Sequence, residues 1–214
     1  MQQFTDRRHA GRLLGEELRQ YRGQSMVFAL PRGGVETGVE VARALDAPLG
    51  LVIARKIGHP YSPEYAVCAV TETGPLVCSE FERANLDPLW LRQAEMAERM
   101  EAARRHKVYL AGRTPVQAEG KVAIVVDDGI ATGLTMQAAV AELRAQNPAK
   151  LVVAVPVAPR DAVDELLELA DEVVVLTGQD GYLGAVGAYY ESFPQLSDNE
   201  VTALLDEAAA YGGG

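Results

Sequence analysis

The chain has 214 residues, 48 % hydrophobic and 23 % charged, with a net charge of −10. That length suits one domain whose core needs no staple, and the acidic balance argues against a broad nucleic-acid footprint. No apolar run approaches the roughly 20 residues of a membrane span. Met1–Arg8 is polar and charged, unlike a signal peptide, so a cytoplasmic protein is expected.

The spacing of apolar residues predicts an amphipathic helix from Thr5 to Tyr21, with Ala10, Leu14, Leu18 and Tyr21 on one face and Thr5 as N-cap. Met26–Leu30 reads as a short strand ending in the breaker sequence Pro31-Arg32-Gly33-Gly34. Val35–Leu45 reads as a helix, and Leu49–Ala54 as a second strand with Arg55 and Lys56 at its C-terminal end. The run from Gly58 to Pro63 is a loop rich in breakers. Tyr65–Thr71 and Leu76–Cys78 suggest a β-hairpin. Its two cysteines, Cys68 and Cys78, stand where they would face each other, and they are read as reduced, semi-buried thiols.

Pro88–Leu110 interleaves acidic and basic residues, the pattern of a solvated helix rather than of a binding surface. Strand and helix then alternate: Val122–Asp127, Gly133–Gln146, Leu151–Val155, Arg160–Ala170 and Val173–Leu176. Gly178–Gly187 is glycine-rich and Tyr189–Phe193 is aromatic. Ser197–Ala209 is a helix with Glu200 at the capping-box position, and Gly212–Gly214 read as a disordered end. This order predicts an α/β fold: a mostly parallel, Rossmann-like sheet flanked by helices, with a hairpin and helical insertion and a small hood. Ligands of such sheets sit beyond the carboxyl ends of the strands. Three of those ends carry unusual chemistry: Pro31 to Gly34, Arg55-Lys56, and Asp127-Asp128.

In Ile124 to Thr135 an apolar strand delivers two adjacent acids, followed by a small-residue turn and a helix start. Two carboxylates accept hydrogen bonds from vicinal hydroxyls. The turn offers backbone N–H groups and the hydroxyls of Thr132 and Thr135 to a phosphate at a helix N-terminus. An acid pair and a phosphate cradle a few residues apart fit a ribose 5-phosphate. A strand-end Asp alone usually just caps the next helix; twelve residues in this pattern are more specific.

The segment resembles the 5-phosphoribosyl-1-pyrophosphate (PRPP) loop of the type I phosphoribosyltransferases, and the overall look is closest to little-characterised bacterial members. The resemblance implies that Asp127 and Asp128 bind the ribose hydroxyls. It also implies that Gly129, Ala131, Thr132, Gly133 and Thr135, with Ile130 among them, hold the 5′-phosphate. Leu30 to Gly34 is similar to the family's pyrophosphate loop and by that likeness is expected to hold a cis peptide at Pro31-Arg32. Ala54-Arg55-Lys56 resembles the Arg-Lys pair of the adenine and orotate branches. The likeness spans about residues 26–176, in a single domain over 1–214 with a hood at about 178–211.

On this reading the enzyme transfers ribosyl 5-phosphate from PRPP to a nitrogen acceptor, expected to be a nucleobase. Mg²⁺ arrives on the pyrophosphate, with no dedicated protein cage. Arg32, Arg55, Lys56 and the N–H groups of Gly33 and Gly34 take up the leaving-group charge. Ala131 stands where the 6-oxopurine branch has an Asp, which argues against hypoxanthine or guanine. Glu64 is the candidate base and Phe193 a candidate stacking platform for the acceptor. A PRPP-sensing regulator of the same fold is the alternative. An NADP-linked oxidoreductase is a third, with only a faint fingerprint in Gly33–Gly38. His9, His59 and His106 give no zinc spacing, and neither a P-loop nor a nucleophile elbow is present. Homodimer formation is left open.

Overall fold

The computed structural model describes residues 3–211. The elements run α1 (Arg7–Glu17), β1 (Ser25–Ala29), α2 (Gly33–Leu45), β2 (Leu49–Leu51), β3 (Arg55–His59), β4 (Ser62–Val70), β5 (Val77–Cys78), α3 (Glu80–Asn85), α4 (Pro88–Tyr109), β6 (Val122–Val126), α5 (Leu134–Arg144), β7 (Lys150–Val157), α6 (Arg160–Leu167), β8 (Glu172–Thr177) and α7 (Asp198–Tyr211). The glycines at 212–214 lie outside the described residues.

A five-stranded parallel sheet in the order β2-β1-β6-β7-β8 forms the core. Alternate residues of a strand face opposite sides, which is why an unbroken apolar run such as Val122–Val126 demands cover on both. Ile124 and Val126 meet Leu14 and Leu18 of α1 and Val41 and Leu45 of α2 on one face. Ala123 and Val125 meet Met136, Val140 and Leu143 of α5 and Leu166 of α6 on the other. From β1 the chain moves outward to β2, whereas β6, β7 and β8 step the opposite way. The order therefore reverses between β1 and β6, and a crevice opens above their carboxyl ends.

Three sequence readings are corrected. The N-cap of α1 is Asp6, whose side chain accepts the His9 N–H, and not Thr5. The strand expected over Leu49–Ala54 stops at Leu51. Its partner β1 runs into the Pro31 break, so pairing ends with Ala29 opposite Leu51 and the Val52 N–H bonded to the Ala29 carbonyl. The chain then leaves the main sheet, and Arg55 and Lys56 open β3 of a separate antiparallel sheet, β3-β4-β5. Cys68 and Cys78 are not free thiols. They are directly opposed in the β4–β5 register and joined as a disulfide.

Helix α4 is solvated as its mixed charge implied, with only Ala102 and Tyr109 buried. The capping box at α7 is present: the Ser197 N–H donates to Glu200 Oε2 at 2.7 Å, and the Glu200 N–H to Ser197 Oγ at 3.3 Å. No helix among the described residues is long and apolar enough to cross a membrane.

Candidate active site

The ends of β1 and β6 are neighbours, with Ala29 opposite Val126, so the segments leaving them run side by side. One is Pro31-Arg32-Gly33-Gly34, which holds a cis peptide between Pro31 and Arg32 and starts α2. The other is Asp127-Asp128. They touch closely. A Cβ on Gly34 would lie 2.7 Å from Asp127 Oδ1 and 2.9 Å from its Cα, and one on Gly33 would overlap the Asp128 carboxylate. Both glycines are therefore required by packing against the acids, besides presenting first-turn N–H groups that no helical carbonyl accepts.

The acids are held in different ways. Asp127 Oδ1 accepts the backbone N–H of Asp128 at 2.8 Å. Asp128 Oδ2 accepts from Arg7 Nε at 2.7 Å, and its carbonyl accepts from the Tyr190 hydroxyl at 2.6 Å. Burial pushes the Asp127 carboxyl well above the usual carboxylate range, and the neighbouring Asp128 charge adds to that. Burial also raises Asp128, but the Arg7 guanidinium opposes it. The two share a low-dielectric site and titrate as a pair. Arg7 lowers the energy of the charge on Asp128, leaving Asp127 as the member that binds a proton more readily.

Beyond the acids, Gly129 packs under Val186 and Ile130 turns inward. Ile130 is buried in the core and donates its N–H to the Val157 carbonyl at 2.8 Å, so it anchors the loop and offers the ligand no donor. Gly133 has φ +82°, a conformation that favours glycine, and caps α5. The loop thus turns its backbone toward the start of α5, with Ala131 and Thr132 exposed and Thr135 half-buried. The first N–H groups of α5 lack helical acceptors, and the helix dipole favours an anion there.

Lys56, Glu64, Ala66, residues 129–135 and Val186 line a cleft of about 250 Å³. Lys56 Nζ donates to Glu64 Oε2 at 3.1 Å across its mouth. The structure thus brings Lys56, Glu64 and the loop together. Arg55 is separated from them because consecutive strand residues point to opposite faces. It turns to α4 and pairs with Glu98 at 2.8 Å. Arg32 is half-buried, 4.0 Å from Asp198 at the start of α7. Phe193 does not line the cleft. It stacks on Tyr190 at 4.8 Å between centroids, and the Arg7 guanidinium lies 3.8 Å from its ring centre. It is a support for Arg7 rather than a free platform.

Arg7 and Tyr190 were missed by the sequence reading. A signal for Arg7 was present: it sits one turn before Ala10 on the stripe Ala10, Leu14, Leu18, where a charged residue must find a buried partner. Its partner is 121 positions away, so no local pattern could identify it.

A family model described as "Phosphoribosyl transferase domain" matches residues 2–191. Two Mycobacterium tuberculosis proteins, from strains CDC 1551 / Oshkosh and H37Rv, are each 41 % identical over 211 residues. Their names assign them provisionally to the phosphoribosyl transferases. The matched region is 97 % of this chain but 47 % of each relative, so the chain spans about half the length of the curated relatives it matches. A crystal structure of TT1426 from Thermus thermophilus is 41 % identical with a TM-score of 0.79, covering 97 % of this chain and 99 % of that one.

Proposed function

The chain belongs to the phosphoribosyl transferase domain family, and from that premise we propose that it binds PRPP and transfers its ribosyl 5-phosphate to a nitrogen acceptor, expected to be a nucleobase, with release of pyrophosphate. One observation carries the reading. At the strand-order reversal, an acid pair, a glycine loop packed against it and a helix-start cradle lie together beside the cleft that Lys56 and Glu64 border.

Asp127 and Asp128 accept the ribose hydroxyls. The start of α5, with the hydroxyls of Thr132 and Thr135, takes the 5′-phosphate. The pyrophosphate lies along Arg32, Gly33 and Gly34, where the α2 N-terminus and the guanidinium stabilise the charge that builds on it as the glycosidic bond breaks. Mg²⁺ brought with the pyrophosphate would add charge neutralisation, and the carboxylate oxygens of Asp127 and Asp128 would suit it as ligands. Lys56 stands at the cleft with Glu64, which serves as the base toward the acceptor. Ala131 has no side-chain group to take a proton, which argues against 6-oxopurines. The hood is read as residues from about 178 to 211.

The test is titration calorimetry of PRPP with Mg²⁺, followed by a pyrophosphate-release screen of nucleobases. Asp127→Asn with Asp128→Asn is expected to weaken PRPP at least about tenfold, since charged acceptors to two hydroxyls are worth more than about 1.4 kcal/mol. Unchanged affinity in a folded double variant refutes the site. Turnover of hypoxanthine refutes the role of Ala131. PRPP binding without turnover of any base identifies a PRPP sensor instead.

A further inference from the structure

Resting on the reading of Asp127-Asp128 as the ribose site, we infer that Arg7 is a positioning residue for PRPP: it fixes the Asp128 carboxylate from a helix outside the loop that binds the ligand. Arg7 is buried to 5 % exposure although it carries a guanidinium. A guanidinium removed from water needs its donors satisfied and its charge compensated. Nε donates to Asp128 Oδ2 at 2.7 Å and Nη1 to the Pro194 carbonyl at 2.7 Å, while Phe193 covers its face at 3.8 Å.

These contacts form a clamp. Arg7 grips the side chain of Asp128 from α1, and Tyr190 grips its backbone carbonyl at 2.6 Å. Tyr190 and Phe193 stack on each other, so the two grips are braced by one aromatic pair. Phe4 extends the brace: its N–H donates to the Tyr189 carbonyl at 2.8 Å and its ring lies 5.3 Å from that of Tyr190. The segment before α1 and the segment after β8 thus converge on one carboxylate. Only one oxygen of Asp128 is used by Arg7, which leaves Oδ1 for a ribose hydroxyl. A purely structural ion pair would not need to end on the residue next to Asp127, at the mouth of the strand crevice.

Glu36 of α2 lies 4.0 Å from Arg7 Nη1, and Asp127 precedes Asp128 in the same segment. Arg7 is thus the cation set among these carboxylates, and without it Asp128 loses the contact that fixes its rotamer.

The experiment measures PRPP Kd with Mg²⁺ by calorimetry at neutral pH for the full chain, Arg7→Met, Arg7→Lys, Asp128→Asn and the Arg7→Met/Asp128→Asn double variant. Arg7→Met is expected to weaken PRPP about tenfold. In the Asp128→Asn background the same change is expected to cost less than about twofold, because the coupled partner is already gone. Arg7→Lys, which keeps the charge without the planar fork, is expected to lose part of the affinity but less than Arg7→Met. It serves alone if Arg7→Met does not fold. Equal losses in both Asp128 backgrounds, or a folded Arg7→Met with unchanged affinity, overturn the inference. An unchanged Arg7→Lys overturns it where only that variant folds. No PRPP binding by the unaltered protein overturns the reading of the site together with the inference.

Discussion

Gly34→Ala separates two effects of opposite sign. Gly34 lies in the first turn of α2, where helix propensity alone makes alanine better than glycine by roughly 0.5–1 kcal/mol. Packing says the reverse. The added Cβ would stand 2.7 Å from Asp127 Oδ1, 2.9 Å from Asp127 Cα and 3.1 Å from the Val126 carbonyl oxygen. Two of those three atoms are backbone at the end of a core strand, so a rotamer change cannot relieve the contact. Overpacking of this kind costs about 1–3 kcal/mol, which exceeds the propensity gain. The net expectation is a loss of roughly 1–2 kcal/mol, or a fall in Tm of about 2–8 °C at this chain length. The displaced atom belongs to the acid pair proposed to bind the ribose, so PRPP affinity should fall about tenfold or more at the same time. Thermal unfolding followed by circular dichroism and PRPP calorimetry read the two quantities. A Gly34→Ala protein with raised Tm and unchanged affinity would show that propensity wins and that the loop does not press on Asp127.

Three further outcomes are expected. Asp127→Asn should raise Tm by a few degrees near neutral pH while PRPP binding is lost. An acid whose folded pKa is raised destabilises the fold increasingly as pH rises from its ordinary 3.8 through the folded value. The gain should vanish below about pH 4, and a destabilised variant at neutral pH would contradict the sign. Arg32→Ala should weaken PRPP and pyrophosphate but spare ribose 5-phosphate, and calorimetry giving equal losses for all three would remove Arg32 from the leaving group. Glu207, held down to about 2 by Arg8, should contribute stability that is full above its ordinary 4.5 and is lost as pH falls from 4.5 toward about 2. Its partial exposure limits this to about 1 kcal/mol or less. Glu207→Gln should therefore flatten the acid limb of a Tm–pH profile, and an unchanged limb would refute it.

The local sequence determined much of this protein because much of it is local. Apolar periodicity placed the strands and helices, and the Ser197 to Glu200 spacing placed a cap. The run from Ile124 to Thr135 announced an acid pair and a glycine turn into a helix start within twelve consecutive residues. Where a strand ends depends instead on its neighbour: Leu49–Ala54 is uniformly apolar, but β1 gives it partners only as far as Leu51. That early exit opened a second sheet, whose two-residue alternation sends Lys56 to the cleft and Arg55 to Glu98. The state of Cys68 and Cys78 followed from the β4–β5 register, not from their spacing. Arg7 illustrates the same limit most plainly. A lone arginine on an apolar helix stripe tells a reader that it must be compensated, because a buried charge cannot stand alone. Which carboxylate compensates it is set by the packing of α1 against the sheet and of Phe193 against its guanidinium. Those contacts join residues far apart in the chain, and they exist only once it has folded.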